Sequence, residues 1–212
     1  MAEASVTKLQ TPDKIPINLI LGDRIIDGAA VKPLSFQSFA DIISEAQGMT
    51  QPKTFEGRLK RLRMHRQVAY YMGANQVQLT IQDILKLPIP DARAISSKFD
   101  AADEGKPGKV IREGDGISQA IVFELGTPIQ TGAGKQPIKE LEFIAKTYGD
   151  IEDVLAAENS IQQAAQLIAT IAKPLGTSLS LLPSWACSAI SVADGVTISQ
   201  KVLPRFLGTA DE

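Results

Sequence analysis

Apolar positions follow a two-residue period early in the chain and helical spacing further on. Ile17, Leu19 and Leu21 share one face, and Gly22-Asp23 is turn chemistry, so residues 15–26 read as strand, turn, strand. Asp27-Gly28-Ala29-Ala30 reads as the next turn and Val31–Leu34 as a returning strand. Ser35 or Ser38 then caps a helix carrying Phe39, Ile42, Ile43 and Ala46. After a linker over 49–53, a helix is predicted over Thr54–Met72, striped by Met64, Val68, Tyr71 and Met72 and stopped by Gly73-Ala74-Asn75. Short helical pieces punctuated by Pro88 and Pro90 run on to Phe99.

The plan then starts again. Residues 101–116, rich in Gly, Asp, Glu and Lys with Pro107, read as a linker. Strands follow over 119–125 and 139–145, joined by the Gly132-Ala133-Gly134 turn, and a short helix opens at Asp150 with Ile151, Val154 and Leu155. In the clearest helix Ile161, Ala164, Ala165, Ile168, Ile171 and Ala172 hold one face, with Ser160 as cap and Lys173-Pro174 as stop. Pro183 suits the first turn of a helix through Trp185, and Val196–Phe206 forms a last one.

Matched blocks make this a repeat. Ile17–Gly22 with Ile25 returns as Ile121–Gly126 with Ile129, at an offset of 104. Leu34, Phe36, Ser38, Phe39, Asp41 and Ile42 line up with Phe143, Ala145, Thr147, Tyr148, Asp150 and Ile151, at 109. Leu87, Asp91, Ile95 and Phe99 line up with Ile190, Asp194, Ile198 and Val202, at 103. Offsets that wander by a few residues are what loop insertions leave between tandem copies. The reading is an α+β chain, a tandem duplication of a small β-hairpin or sheet followed by a helical bundle. Its parts are a flexible tail over 1–14, a first repeat over 15–100, a linker over 101–116 and a second repeat over 117–207. Copies this small bury little surface alone, which favours packing of one on the other.

Composition adds two constraints. Net charge is −2, so no bulk attraction to nucleic acid or acidic membranes follows. The charge is uneven, however: residues 1–100 carry a net +3 and residues 101–212 a net −5, so the halves attract each other or face different partners. Cys187 is the sole cysteine, which excludes an internal disulfide and suits a reducing compartment. With no signal peptide at Met1-Ala2-Glu3-Ala4 and no long apolar run, the expectation is a soluble intracellular protein.

Enzyme signatures are nearly absent, and no cofactor or metal is expected. Gly132-Ala133-Gly134-Lys135-Gln136 lacks both the first Gly and the Ser or Thr of a phosphate loop, and reads as a hairpin turn with a solvated Lys. His65 is the only histidine and reads as a helix-surface residue, and Cys187 as a small buried one. One His and one Cys do not make a metal site.

The candidate partner-binding residues are Arg58, Arg61, Arg63, Gln162, Gln166, Trp185 and Phe206. Arg58, Lys60, Arg61, Arg63 and Arg66 crowd one helix, where cations near the N-terminus oppose the helix dipole. They read as a solvated face partly compensated by acids of the other copy, or as a site for acidic protein or phosphates. Trp185 has apolar neighbours, which suits internal packing, and is also a candidate anchor for a partner.

The order of features in each copy resembles the tail assembly chaperones of long-tailed bacteriophages. The residues that carry the resemblance are Ile121–Ile129, Phe143–Leu155 with its Thr-x-Gly-Asp-Ile step, Ala165–Lys173 and Ile190–Leu207, and more faintly residues 15–100. That family usually supplies one unit per chain, whereas two are expected here. The resemblance implies a non-enzymatic protein of the host cytoplasm that coats the helical tape measure protein until tail tube subunits polymerise. It implies the tape measure protein as partner, with the tail tube protein and self-association as further candidates; from the net charge and the lack of a long apolar run, neither membrane nor nucleic acid is expected. The groove for such a partner is placed between helices 161–172 and 183–206. A structural subunit of the tail or baseplate is the alternative, and a nucleic-acid adaptor acting through Arg58–Arg66 a further one.

Overall fold

The computed structural model describes residues 14–113, 120–132, 136–145 and 147–207. The chain divides into two units, each built on a four-stranded antiparallel sheet with helices, so the fold is α+β. One unit comprises residues up to Pro33 together with Pro52–Ala102; the other comprises Leu34–Gln51 and everything from Asp103.

In the first unit, β1 (Ile15–Leu21) and β2 (Arg24–Val31) form the expected hairpin, with Leu19 opposite Ile26. The chain then leaves this unit for α1 (Phe36–Gly48) and returns as α2 (Phe55–Arg66), capped by the Thr54 hydroxyl, which accepts from the Gly57 N–H. Next come β3 (Val68–Met72) and β4 (Asn75–Val77), then α3 (Ile81–Ile84), α4 (Ile89–Ser96) and α5 (Phe99–Asp103). The sheet order is β1-β2-β3-β4. Leu19, Ile26, Tyr70, Ile95 and Phe99 fill its core. The Tyr70 hydroxyl donates to the Met64 carbonyl at 3.1 Å, and burial pushes its pKa up, because the phenolate would lose its hydration.

Besides α1, the second unit holds β5 (Lys109–Arg112), β6 (Ile121–Ile129) and β7 (Ile138–Phe143). After a 3-10 turn at Tyr148–Asp150 come α6 (Glu152–Ala156), α7 (Ser160–Ile171) and β8 (Ala172–Pro174). It closes with α8 (Ser184–Cys187), α9 (Val192–Lys201) and α10 (Leu203–Phe206). The sheet order is β5-β6-β7-β8, with Phe123 opposite Leu141 and Phe143 opposite Ala172. Phe123, Ile138, Leu141, Phe143 and Leu167 are fully buried against one another's elements.

The two units share an order of elements. In each, a hairpin (β1-β2, β6-β7) leads to a helix (α2, α7) that passes directly into a strand (β3, β8) antiparallel to the second hairpin strand. In each, a later helix (α4, α9) packs on the first hairpin strand (β1, β6). Residues matched at the offset of 103 do matched work. Ile95 and Ile198 are both fully buried, as are Leu87, Ile190, Phe99 and Val202 nearly so. Asp91 and Asp194 both lie in the first turn of their helix, and each accepts backbone N–H groups of its own unit's hairpin strand. Asp91 takes Asn18 at 2.8 Å; Asp194 takes Gly126 at 2.8 Å and Thr127 at 3.4 Å.

Four sequence expectations give way. Residues 27–34 are not a turn and a new strand: β2 runs on to Val31, because the Gly-Ala run is a central strand between β1 and β3. The helix over 54–72 ends at Arg66, and Val68, Tyr71 and Met72 of its supposed stripe form β3. Val-Ala-Tyr-Tyr-Met has β-rich chemistry, and its cross-strand pairing to β2 and β4 overrides the helical spacing. Gly73, at φ 59°, is then the left-handed residue of the β3-β4 turn instead of a helix stop. The supposed linker holds α5's end and β5, whose Val110 pairs with Phe123 of β6.

The 109-offset block also departs from the repeat. Phe36–Ile42 lie in α1, whereas Phe143 ends β7 and Tyr148–Asp150 is a 3-10 turn. The α7 cap is Asn159 in place of Ser160; its Oδ1 accepts from the Ile161 and Gln162 N–H groups at 3.0 Å each. The last helix starts earlier than Val196, at Val192 behind the Ser191 cap, and breaks before α10. Most of the tail over 1–14, the start of the 117–207 repeat and the centre of the Gly132-Ala133-Gly134 turn lie outside the described residues.

Candidate functional site

Helix α1 belongs by its contacts to the second unit, where it packs on both α7 and α9. The Phe36 N–H donates to the Ile190 carbonyl at 2.8 Å, and Phe36 and Ala40 are buried in that unit's core. At the far end of α1 the Asn159 side-chain amide donates to Gln47 Oε1 at 2.9 Å. The groove placed by sequence between 161–172 and 183–206 is thus already filled, by a helix of the same chain. A shallow cleft of about 380 Å³ remains along its edge, where Gln37, Asp41 and Ser44 of α1 face Gln162, Ala165 and Gln166 of α7.

The first unit has a groove of its own, of about 340 Å³. Lys60, Arg61 and Met64 of α2 form one wall and Leu85, Ile89 and Ala92 the other, with Ile84 and Leu87 buried beneath. Its apolar lip is open to solvent: Ile89 is 69% exposed and Leu85 52%. Single exposed apolar residues are ordinary, but two at the mouth of one groove mark a place where burial would be gained on binding. Lys60 and Arg93 bring cationic chemistry to the same rim.

The candidate residues of the basic helix separate into different jobs. Arg61 lines the groove. Arg58 turns back to donate to the Pro52 and Lys53 carbonyls at 3.1 and 2.9 Å, closing the loop before α2. Arg63 is buried; its Nε donates to Gln67 Oε1 at 2.8 Å, its guanidinium stacks 4.4 Å from the Phe99 ring, and it pairs with Asp100 at 3.6 Å. A continuous cationic face for phosphates is therefore not formed by these three. Gln162 and Gln166 border the α1 cleft.

Trp185 is half exposed, against the reading of a packed core residue, and stays available as an anchor. Phe206 packs partly buried on the second unit's core. Cys187 is half-buried, with Sγ 3.6 Å from the Leu182 carbonyl, and burial pushes its thiol pKa up, which lowers its reactivity. No group of three His, Cys, Asp or Glu residues able to hold a metal occurs among the described residues, nor any helix long and apolar enough to cross a membrane. Sequence reasoning missed the groove-lining Leu85, Ile89 and Ala92. The available signal was Ile89 between Pro88 and Pro90, an apolar residue with no helical stripe to join.

Compared with known protein families, curated proteins and solved structures, the chain matches none.

Proposed function

We propose that this chain is a non-enzymatic, helix-binding assembly chaperone, of the kind that holds a phage tape measure protein soluble in the host cytoplasm until the tail tube forms. The observation behind this reading is the open groove of the first unit. An apolar floor of Ile84 and Leu87, a wall that includes Met64, and exposed Leu85 and Ile89 at the mouth have the shape and chemistry of helix-in-groove recognition. The way the second unit already holds α1 between α7 and α9 supports it further, since this fold accepts a helix on that kind of surface. The chaperone assignment itself comes from the sequence resemblance. Co-expression with the tape measure protein tests it: that protein stays soluble with the chain and aggregates without it. Absence of the chain from purified virions separates a chaperone from a structural subunit, which would be present at fixed stoichiometry.

A further inference from the structure

We infer that the groove of the first unit is the internal counterpart of the α1 seat on the second, and that its occupant is an acidic amphipathic helix of a partner protein with a small residue where α1 carries Phe36. This deepens the helix-binding reading above and rests on it only for the partner's biological identity.

The correspondence is residue by residue. At the repeat offset of 103, Leu87 matches Ile190 and Ala92 matches Gly195. In the second unit, Ile190 accepts the Phe36 N–H, and Phe36 lies so close on Gly195 that a β-carbon there would fall 1.9 Å from the ring. In the first unit, Leu87 and Ala92 line the open groove, and the Ala92 β-carbon takes the space that Gly195 leaves to the Phe36 ring, so this seat takes a smaller first residue. The other wall corresponds too. Aligning α2 and α7 by their caps, Thr54 with Asn159, matches Gly57 with Gln162, Lys60 with Ala165 and Arg61 with Gln166. The first set lines the groove; the second set faces α1. The fold thus builds one helix seat twice, and this chain's own α1 fills only the second.

Charge selects the occupant. On the second unit, Asp41 of α1 faces the neutral Ala165 and Gln166. Their counterparts Lys60 and Arg61 are basic, so an acid at the Asp41 position of a helix seated in the same way meets two cations. Transfer of α1, with Asp41 and Glu45, to the second unit also takes the first from the net +3 of residues 1–100 to +5. Complementary fields of this kind raise association rates and select partners. A helix of α1's pattern, with a small residue in place of the aromatic at its first position, a small residue four later and an acid next to it, satisfies both the shape and the charge.

The test uses the full chain and a fluorescent, helix-stapled peptide of residues 34–51 carrying Phe36→Ala, because Ala92 leaves no room for the ring and an isolated helix this short is marginal in water. The wild-type chain is expected to bind it. Ile89→Glu at the lip should weaken binding at least tenfold. Lys60→Glu should weaken it severalfold, and a peptide carrying Asp41→Lys should recover affinity for the Lys60→Glu chain. Both positions are exposed, so circular dichroism and melting should be unchanged. Absence of binding, or binding indifferent to Ile89→Glu and Lys60→Glu, overturns the inference, the latter meaning that the peptide merely exchanges with α1. A concentration-dependent dimer abolished by Ile89→Glu makes a second copy the occupant and likewise overturns the commitment to a partner protein. Solubilisation of the tape measure protein that survives both substitutions sinks the groove and spares the chaperone reading; peptide capture without solubilisation does the reverse.

Discussion

Phe36 lies on Gly195 with no room between them: a β-carbon on Gly195 would stand 1.9 Å from Phe36 Cγ. Helix α9 can carry a glycine in its middle, at a propensity cost of about 1 kcal/mol relative to alanine, because that glycine lets α1 dock. Gly195→Ala should therefore destabilise, by about 1–3 kcal/mol for overpacking, despite its better helix propensity. Urea melts measure this, and in a Phe36→Ala background the same substitution should turn neutral or stabilising. Equal effects in both backgrounds would refute the contact.

Asp194 is fully buried, and its carboxylate accepts from the Gly108, Gly126 and Thr127 N–H groups and from the Ser191 hydroxyl. Asp194→Asn replaces one acceptor oxygen with a donor that faces donors. The expected loss is about 1–3 kcal/mol or more, the cost of an unsatisfied buried group next to a charge-assisted network. Asp91→Asn, which disturbs the Asn18 N–H bond in a more solvated place, should cost less than half as much. Equilibrium unfolding of the two variants orders them.

Arg63 works as a packing residue. Arg63→Lys keeps the charge but loses the planar stack on Phe99 and the Nε–H donated to Gln67, so it should destabilise by about 1–3 kcal/mol. A substitution that weakened duplex DNA binding in a salt-dependent way, with stability unchanged, would instead place Arg63 at a phosphate and revive the nucleic-acid reading.

The capping box of α3 sets a pH response. The Thr80 hydroxyl, and after it the Thr80 N–H, hold the Asp83 carboxyl below the usual carboxylate range. A folded-state pKa that is depressed contributes stability above the unfolded value of about 3.9, and that stability is lost as pH falls through the folded value. Thr80→Ala should raise the Asp83 pKa in a carboxyl-carbon NMR titration and flatten this acid limb. An unmoved titration would show that the hydroxyl does not hold the carboxylate.

Much of the local structure was legible in the chain. Alternation marked β1 and β6, the Ala-Ile face marked α7, and the 103-residue offset paired Asp91 with Asp194, because those signals depend on neighbours in sequence. The stretch from Val68 to Met72 is ambiguous in sequence, since its apolar positions fit both periods and only pairing with β2 and β4 chooses the strand. The candidate site was half legible. The basic helix was visible, but which of its cations closes a loop, packs in the core or lines a groove depends on what lies across from it.

Sequence by itself determined the α+β class, the doubled plan and the absence of recognisable catalytic patterns, all of which reside in spacing and residue type. Tertiary structure decided where α1 goes. Phe36, Ala40 and Ile42 specify a helix with a face to bury, yet nothing local says whose surface buries it. The seat beside Gly195 settles that by shape, and Lys60 and Arg61 stand where the first unit's own seat would meet the acids of α1. Complementarity between residues more than 150 positions apart carries no local signal, and it is this long-range fit that leaves one groove filled and the other open.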